Sequence, residues 1–334
     1  MAEPLCVLGS VNMDIVLRVP RLPQRGETLH CSEIAHIPGG KGANQAVGAA
    51  RLGMKVHMIG AVGSDEHGTT LLRGLAANGV GTKAIARLEG NSGLAFINVD
   101  EQANNTIVLA GGANQKVTLP IVEQHGDLIE QSAALLVQLE IPLDSVVRGI
   151  ELANQSRVPV FVNAAPAYRL SEGVLAGVDY LIVNETEAGV LLNGEMPTAN
   201  NAVDAAVALC GLGVKHAIIT LGEHGAVLAG ANLRLRVPAC RVRVVDSTAA
   251  GDAFVAAFLV GTIRMRRGLE EALQLGCAAG AAACTVFGAQ PSLPTLDRVN
   301  SLQRMRSDAS GTSSRRVQGK GGTTREGRTG AVRV

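Results

Sequence analysis

Residues 242–261, VRVVDSTAAGDAFVAAFLVG, set a run of small residues between an apolar stretch and a carboxylate. The opening predicts a strand ending at Asp246, and a helix is expected to begin near Gly251. Ala249, Ala250 and Gly251 let backbone N–H groups approach a ligand closely. A helix N-terminus adds unsatisfied donors and the positive end of a dipole, so an anion fits there. Asp252, in the first helical turn, is placed to accept a proton from a substrate hydroxyl while the turn stabilises a transferred phosphoryl group. The plainer role of an acid at that position is to complement the dipole, which is worth roughly 0.3–1 kcal/mol.

Other segments offer polar groups at telling places. Asn12 and Asp14 of GSVNMD share one face of an extended chain, where an amide and a carboxylate can grip neighbouring sugar hydroxyls or serve a strand-end turn. Glu140 closes the apolar run ALLVQLE, and a carboxylate at the end of a buried parallel strand sits where α/β sheets bind ligands. Asn184 and Glu187 of VNETEAGVLL can hold a hydrated Mg²⁺ or phosphate oxygens, and they equally satisfy the pattern of a helix capping box. The glycine turn TLGEHGA, residues 220–226, suits a nucleotide edge or a hairpin. The cluster IPGGKGANQAVGAARLG, residues 37–53, looks like a phosphate loop, yet no Ser or Thr follows Lys41 and its glycine spacing matches no nucleotide pattern.

The elements that must position these groups follow an alternating rhythm. LCVLG, KVHMIGAVG, ALLVQLE, VPVFVN, DYLIVN and HAIITLG are continuous apolar runs suited to strands covered on both faces. Between them lie helical patterns: GANQAVGAARLG, with Ala43, Ala46, Val47 and Ala50 on one face and Gly53 as its stop; TTLLRGLAANG, ended by Gly79; PLDSVVRGIELANQS; and ANNAVDAAVALCGLG. A doubly wound α/β fold with a mainly parallel central sheet flanked by helices is predicted. Residues 15–37 and 91–112 break the rhythm and read as short strands with polar turns, a small β lid beside the ligand segments. One domain is expected over 1–304. The Gly-, Ser- and Arg-rich stretch 305–334 has no periodicity and is expected to be disordered. Its Gly322, Gly327, Arg328 and Thr329 nearly spell a Walker loop, but Arg replaces the Lys and no strand precedes it.

Composition bounds the class. The 334 residues are 47% hydrophobic with no Trp and 2% aromatics, so the core must be built of Ala, Val, Leu and Ile. The net charge of +1 conceals a basic end, since from Arg304 onward eight Lys and Arg face two acids. The remaining body is mildly acidic and gives no support for nucleic-acid binding. Six cysteines without a CxxC pair suit a reduced, cytoplasmic protein, and neither a secretory leader nor an apolar run of membrane length is evident. HExxH, clustered Cys/His, GxSxG and GxGxxG patterns are all missing.

GGKGANQA, NETEA, TLGEHG, DSTAAGDAF and GAQPS, in this order, resemble the ribokinase family of carbohydrate kinases over Leu5 to about residue 295. The resemblance implies ATP-dependent phosphorylation of D-ribose at its 5-hydroxyl. It implies Asp252 as catalytic base and Ala249, Ala250 and Gly251 as anion hole. It assigns ribose contacts to Asn12, Asp14, Gly39, Gly40, Lys41, Asn44 and Glu140, so the 37–53 glycines close over a sugar rather than a phosphate. Asn184, Thr220, Gly222, Gly225 and Gly251 fall on the nucleotide side, and Glu187 completes an element linked to Mg²⁺. A K⁺ site is implied at Asp246, Thr248, Ala283, Val286, Gly288 and Ser292. A homodimer through the lid is implied as well. Ser247 stands where Thr is usual, Ala164 where Pro is common, and the basic tail has no counterpart. The rival readings are a kinase of another sugar or nucleoside (fructokinase, deoxyribokinase, nucleoside kinase), a sugar-binding sensor without catalysis, and, least supported, a Rossmann dehydrogenase.

Overall fold

The computed structural model describes residues 3–102 and 104–314, with backbone only from 306. Its strands are β1 (Leu5–Leu8), β2 (Asn12–Arg18), β3 (Glu33–Gly39), β4 (Val56–Gly63), β5 (Val80–Leu88), β6 (Gly93–Val99), β7 (Asn105–Ala110), β8 (Ala134–Gln138), β9 (Val160–Asn163), β10 (Tyr180–Asn184), β11 (His216–Thr220), β12 (Ala226–Gly230) and β13 (Leu233–Val237). Nine of them form one sheet in the order β13-β12-β11-β10-β9-β8-β1-β4-β5. It is parallel from β5 to β11, and only the β11–β12 and β12–β13 pairings are antiparallel.

The continuous apolar runs are explained by what covers them. In β1, Leu5 and Val7 enter one core cluster while Cys6 and Leu8 enter the other, so alternate side chains are buried on opposite faces of the sheet. Helices Lys41–Arg51, Ala250–Leu259 and Leu269–Ala283 supply the first face, mostly with Ala, Val and Leu. Small side chains bring these helices close, as where a Cβ on Gly276 would meet the Phe254 ring at 2.9 Å. Gly53 and Gly79 both adopt left-handed backbone (φ +88° and +79°) directly after their helices, which is why glycine ends them.

The chain departs from β1 to β4 on one side and later returns to β8 on the other. The carboxyl ends of β1 and β8 therefore bracket a topological switch point, the usual ligand crevice of such sheets. Over this crevice stands the smaller sheet, β3-β2-β6-β7, drawn from the two irregular regions of the sequence. Its β2 starts at Asn12, so Asn12 and Asp14 lie within the small sheet, paired with Gly39 and Ile37 of β3.

Two expectations fail. VRVVD is not a strand: Val244 and Val245 are exposed, and the N–H groups of Val245 and Asp246 both donate to the Cys284 carbonyl oxygen (2.8 and 3.2 Å). The Arg–Val alternation continues that of β13, but the segment has left the sheet and hangs from a helix end. The last helix, Leu296–Ser314, also passes the boundary expected at 304. Once a helix is nucleated, each further residue adds a hydrogen bond, so a polar stretch can continue it. The rest of the expected tail, with its near-Walker pattern, lies outside the described residues. Among those described, no helix is long and apolar enough to cross a membrane, and none of the six cysteines is joined in a disulfide.

Candidate active site

The Lys41–Arg51 helix begins at Gly40, whose φ of +89° and crowded surroundings require glycine: a Cβ there would lie 2.7 Å from the Asn12 nitrogen. This close passage sets the helix start against the carboxyl end of β1. Glu140, just beyond β8, ties the two together. Its Oε2 accepts from the Ser10 hydroxyl (2.5 Å) and the Lys41 N–H (3.2 Å). Asn12 is held from the other side, its Oδ1 accepting from Asn114 Nδ2 at 2.6 Å.

Asp252 is buried at the start of the Ala250–Leu259 helix, which packs against the first helix. Its Oδ2 accepts from Asn44 Nδ2 (2.9 Å) and its Oδ1 from Gln45 Nε2 (2.8 Å). Burial pushes its carboxyl above the ordinary range, while the Lys41 ammonium and these two amides pull it back. Asp14 is also buried, and no protein donor among the described residues reaches its carboxylate. Burial first, then the Glu140 and Asp252 charges, raise it from 3.8 to about 7. Lys41 is the compensating cation. Burial lowers its pKa, but Asp252, Glu140 and Glu187 more than offset this and leave it raised. The result is a crevice with a cation among four carboxylates, two of them buried. One further acceptor, Asn44 Oδ1, is buried without a partner. A molecule offering several hydroxyl donors would satisfy Asp14 and Asn44 together.

A cavity of about 870 Å³ adjoins Asp252. Thr220, Gly222, Gly225, Ala250 and Gly251 line it, so the turn before Asp252 and the β11–β12 hairpin face one space. TLGEHGA is thus both a hairpin and a cavity wall. Ala249 takes left-handed backbone (φ +59°), a conformation costing roughly 1–2 kcal/mol for a residue with a Cβ. That turn opens the helix, whose first N–H groups lack intrahelical acceptors. Gly251 and Asp252 have no intrahelical carbonyl to receive theirs. The Ala250 N–H differs, because it donates to the Ser247 carbonyl oxygen at 3.2 Å.

Asn184 and Glu187 form a complete capping box: Asn184 Oδ1 accepts from the Glu187 N–H (2.8 Å), and Glu187 Oε2 from the Asn184 N–H (2.9 Å). The box leaves Glu187 Oε1 uncommitted. Burial raises this carboxyl, the Asn184 N–H and Lys41 lower it, and Asp252 raises it again, which places it within electrostatic reach of the crevice. Asn184 pairs in register with Thr220, beside the cavity.

Asp246 gathers the more distant group. Its Oδ1 accepts from the Thr248 N–H and hydroxyl (2.9 and 2.7 Å), and its Oδ2 from the Gly288 N–H (2.8 Å). Ala283 and Val286 belong to the same turn, joined by a Val286 N–H to Ala283 oxygen bond (3.1 Å). The Ser292 hydroxyl donates to the Ala289 carbonyl oxygen at 2.8 Å, which leaves its oxygen lone pairs uncommitted. Carboxylate, hydroxyl and carbonyl oxygens make a donor set suited to a hard cation. No cluster of three or more His, Cys, Asp or Glu able to hold a metal occurs among the described residues.

The geometry also shows residues that sequence reasoning passed over. Ser10, Gln45, Asn114, Gln138 and Asn163 are all buried in the hydrogen-bond network beneath the crevice. Gln45 lies within GGKGANQA and Gln138 within ALLVQLE, so the signal was a polar residue inside an apolar helix face or a buried strand.

Known proteins resemble the chain over most of its length. A profile described as pfkB family carbohydrate kinase matches residues 2–296. The ribokinase of Haemophilus influenzae is 40% identical over 88% of this chain and 96% of its own length. That of Schizosaccharomyces pombe is 40% identical over 89% of this chain and 96% of its own. Among solved structures, the ribokinase of Arabidopsis thaliana complexed with ribose and ATP superposes with a TM-score of 0.83 at 31% identity, covering 90% of this chain and 99% of that one.

Proposed function

The chain belongs to the pfkB family of carbohydrate kinases, and we propose that it transfers the γ-phosphoryl group of ATP to the 5-hydroxyl of D-ribose. The observation that carries this reading is the position of Asp252, buried between a polar crevice and the cavity at the Ala250–Gly251 turn. The sugar occupies the crevice, with hydroxyls donating to Asp14 and Asn44 Oδ1 and with Asn12, Lys41 and Glu140 around it. Gly39 and Gly40 keep the backbone low enough for it to enter. ATP occupies the cavity beside Thr220, Gly222 and Gly225, with its phosphates toward Gly251 and Asn184.

Asp252 then accepts the proton of the attacking hydroxyl. Burial raises its pKa and so strengthens it as a base, while Lys41, Asn44 and Gln45 partly offset that rise by favouring the ionised form. The N–H groups of Gly251 and Asp252 receive the charge spreading over the transferred group. For Ala250 to join them, its bond to Ser247 must open; Ala249, with its left-handed backbone, shapes the turn. Glu187 Oε1 suits a hydrated Mg²⁺ arriving with the nucleotide, and such an ion neutralises phosphate charge. Asp246, Thr248 and Gly288, with carbonyls near Ala283 and Val286, would hold a monovalent cation such as K⁺. Such an ion would steady the loop that carries the anion-hole turn.

The small sheet acts as a lid, and its exposed Ile34, Phe96, Ile107, Val108 and Leu109 favour pairing with a second copy of the chain. Six cysteines without a disulfide among them suit the reducing cytoplasm. The test is ATP consumption by the purified protein over a panel of sugars and nucleosides, with and without K⁺. Turnover with ribose, stimulated by K⁺, is expected. Turnover only with another acceptor would move the substrate, and ribose binding without turnover would make the protein a sensor.

A further inference from the structure

Beneath Asp252 lies a chain of buried amides whose orientation is dictated by one backbone group. Asn163 Nδ2 donates to the Ile182 carbonyl oxygen at 3.0 Å, and a carbonyl can only accept. Asn163 must therefore turn its Oδ1 toward Gln45, which donates to it through Nε2 at 2.9 Å. The same Nε2 donates to Asp252 Oδ1 at 2.8 Å. Gln45 Oε1 is left facing the other way, and Gln138 Nε2 donates to it at 2.6 Å. Reversing the Gln45 amide would aim its oxygen at the Asp252 carboxylate and its hydrogens at those of Gln138. The network thus has one arrangement, fixed from the central strands rather than from the ligand.

Asn44 and Gln45 both grip Asp252, but they differ in what remains. Asn44 keeps a buried oxygen without a protein partner. Gln45 has both amide hydrogens and its oxygen engaged within the protein, and it is fully buried. Nothing of it is free to meet a sugar or a nucleotide. Burying such an amide in an Ala- and Val-lined helix face costs free energy that an apolar side chain would avoid.

We propose that Gln45 is a positioning residue for the phosphoryl transfer: locked by Gln138 and Asn163, its amide holds the Asp252 carboxylate oriented and ionised before substrate arrives. The proposal rests on Asp252 being the base. Asn44 meets the sugar through its free Oδ1, while Gln45 is committed wholly to the base and its neighbours.

The experiment compares Gln45→Met, close in volume but without a donor, with the parent protein. It reads the pH profile of kcat/KM for ribose at saturating Mg-ATP, together with the ribose Kd by calorimetry. A donor lost from a buried charge predicts a drop in kcat of about ten- to hundredfold at pH 7. The acidic limb of the profile should move upward by about one to two pH units. The ribose Kd should stay within about twofold, since Gln45 does not face the sugar. Gln138→Met, which touches no atom of Asp252, should move the limb in the same direction by less, and it decides the matter if Gln45→Met does not fold. An unmoved acidic limb with kcat within about twofold of the parent overturns the proposal. Asp252→Asn separates this failure from that of the premise. If Asp252→Asn is inactive while the glutamine variants behave as the parent, only Gln45 loses its role. If Asp252→Asn turns over normally, the base assignment itself falls.

Discussion

Asn44 Nδ2 and Asp252 Oδ2 stand 2.9 Å apart although 208 positions separate them in the chain. Each lies in the first turn of its helix, so the bond joins two helix N-termini at the floor of one crevice. A buried carboxylate held in this way has few reasons to exist for stability alone, because its desolvation is costly.

Replacing that carboxylate with an amide keeps its shape and removes its basicity. Asp252→Asn is expected to lower kcat by at least about 10²–10⁴-fold, the range usual for general-base catalysis. Ribose binding, proposed to rest on Asp14, Asn44 and Glu140, should largely survive in calorimetry. A variant with a near-normal rate would take Asp252 out of the base role.

Asp14 gives a pH dependence of definite sign. Its carboxyl titrates at about 7 in the folded protein against 3.8 as the ordinary value. The folded state therefore holds the proton more tightly, and stability falls as pH rises from about 4 to about 7. A shift of this size corresponds to roughly 4 kcal/mol. Asp14→Asn should have little effect on the unliganded protein near pH 4 and raise its melting temperature at pH 8. Ribose affinity of the parent should strengthen as pH rises through about 7, when the carboxylate can accept sugar hydroxyls. Equal melting shifts at both pH values would remove the cause assigned to this titration.

Two glycines of the same cluster should fail differently when given a Cβ. At Gly39 the new atom would lie 2.2 Å from Asp14 Oδ2, a side chain that can turn aside. At Gly42 it would lie 2.6 Å from the Ser10 nitrogen and 2.7 Å from the Gly9 carbonyl carbon, which cannot. Gly39→Ala should raise the ribose KM by about tenfold or more with modest loss of stability, because the displaced group is a proposed ribose contact. Gly42→Ala should cost about 1–3 kcal/mol or more in urea unfolding, the usual penalty of overpacking. The same KM and the same unfolding midpoint in both variants would show that the close approaches are unimportant.

Much of this site was legible because its residues sit in conspicuous places. Asp252 follows a small-residue turn, Glu140 ends a buried strand, and the glycines around Lys41 announce a close backbone passage. The large sheet was legible for a related reason, since strands such as ALLVQ, buried on both faces, have no polar alternation to confuse them. The failures have physical causes. VRVVD carries a strand's composition, but whether it joins the sheet is decided by the Cys284 carbonyl, forty residues away and invisible to any local pattern. The amide chain from Gln138 to Asp252 is equally nonlocal, because each member looks like an isolated polar residue in its own segment. The Asp246 group is the extreme case, for carbonyl oxygens belong to every residue and leave no trace in sequence.

Asn184 and Glu187 remain the pair in which structure and chemistry overlap, and substitution can separate the two. The box is complete, so the pair has a structural purpose whatever else it does. Glu187→Gln preserves the pattern, since Gln serves in a capping box, yet removes the charge beside Lys41 and the proposed phosphate path. It should leave the melting temperature nearly unchanged and lower kcat/KM for Mg-ATP by about tenfold, as expected when an anionic partner of the nucleotide's metal is lost. Asn184→Ala should do the reverse in stability, costing about 1 kcal/mol through the lost cap. If Glu187→Gln retains full activity at limiting Mg²⁺, Glu187 is a cap and nothing more, and the metal must be held elsewhere.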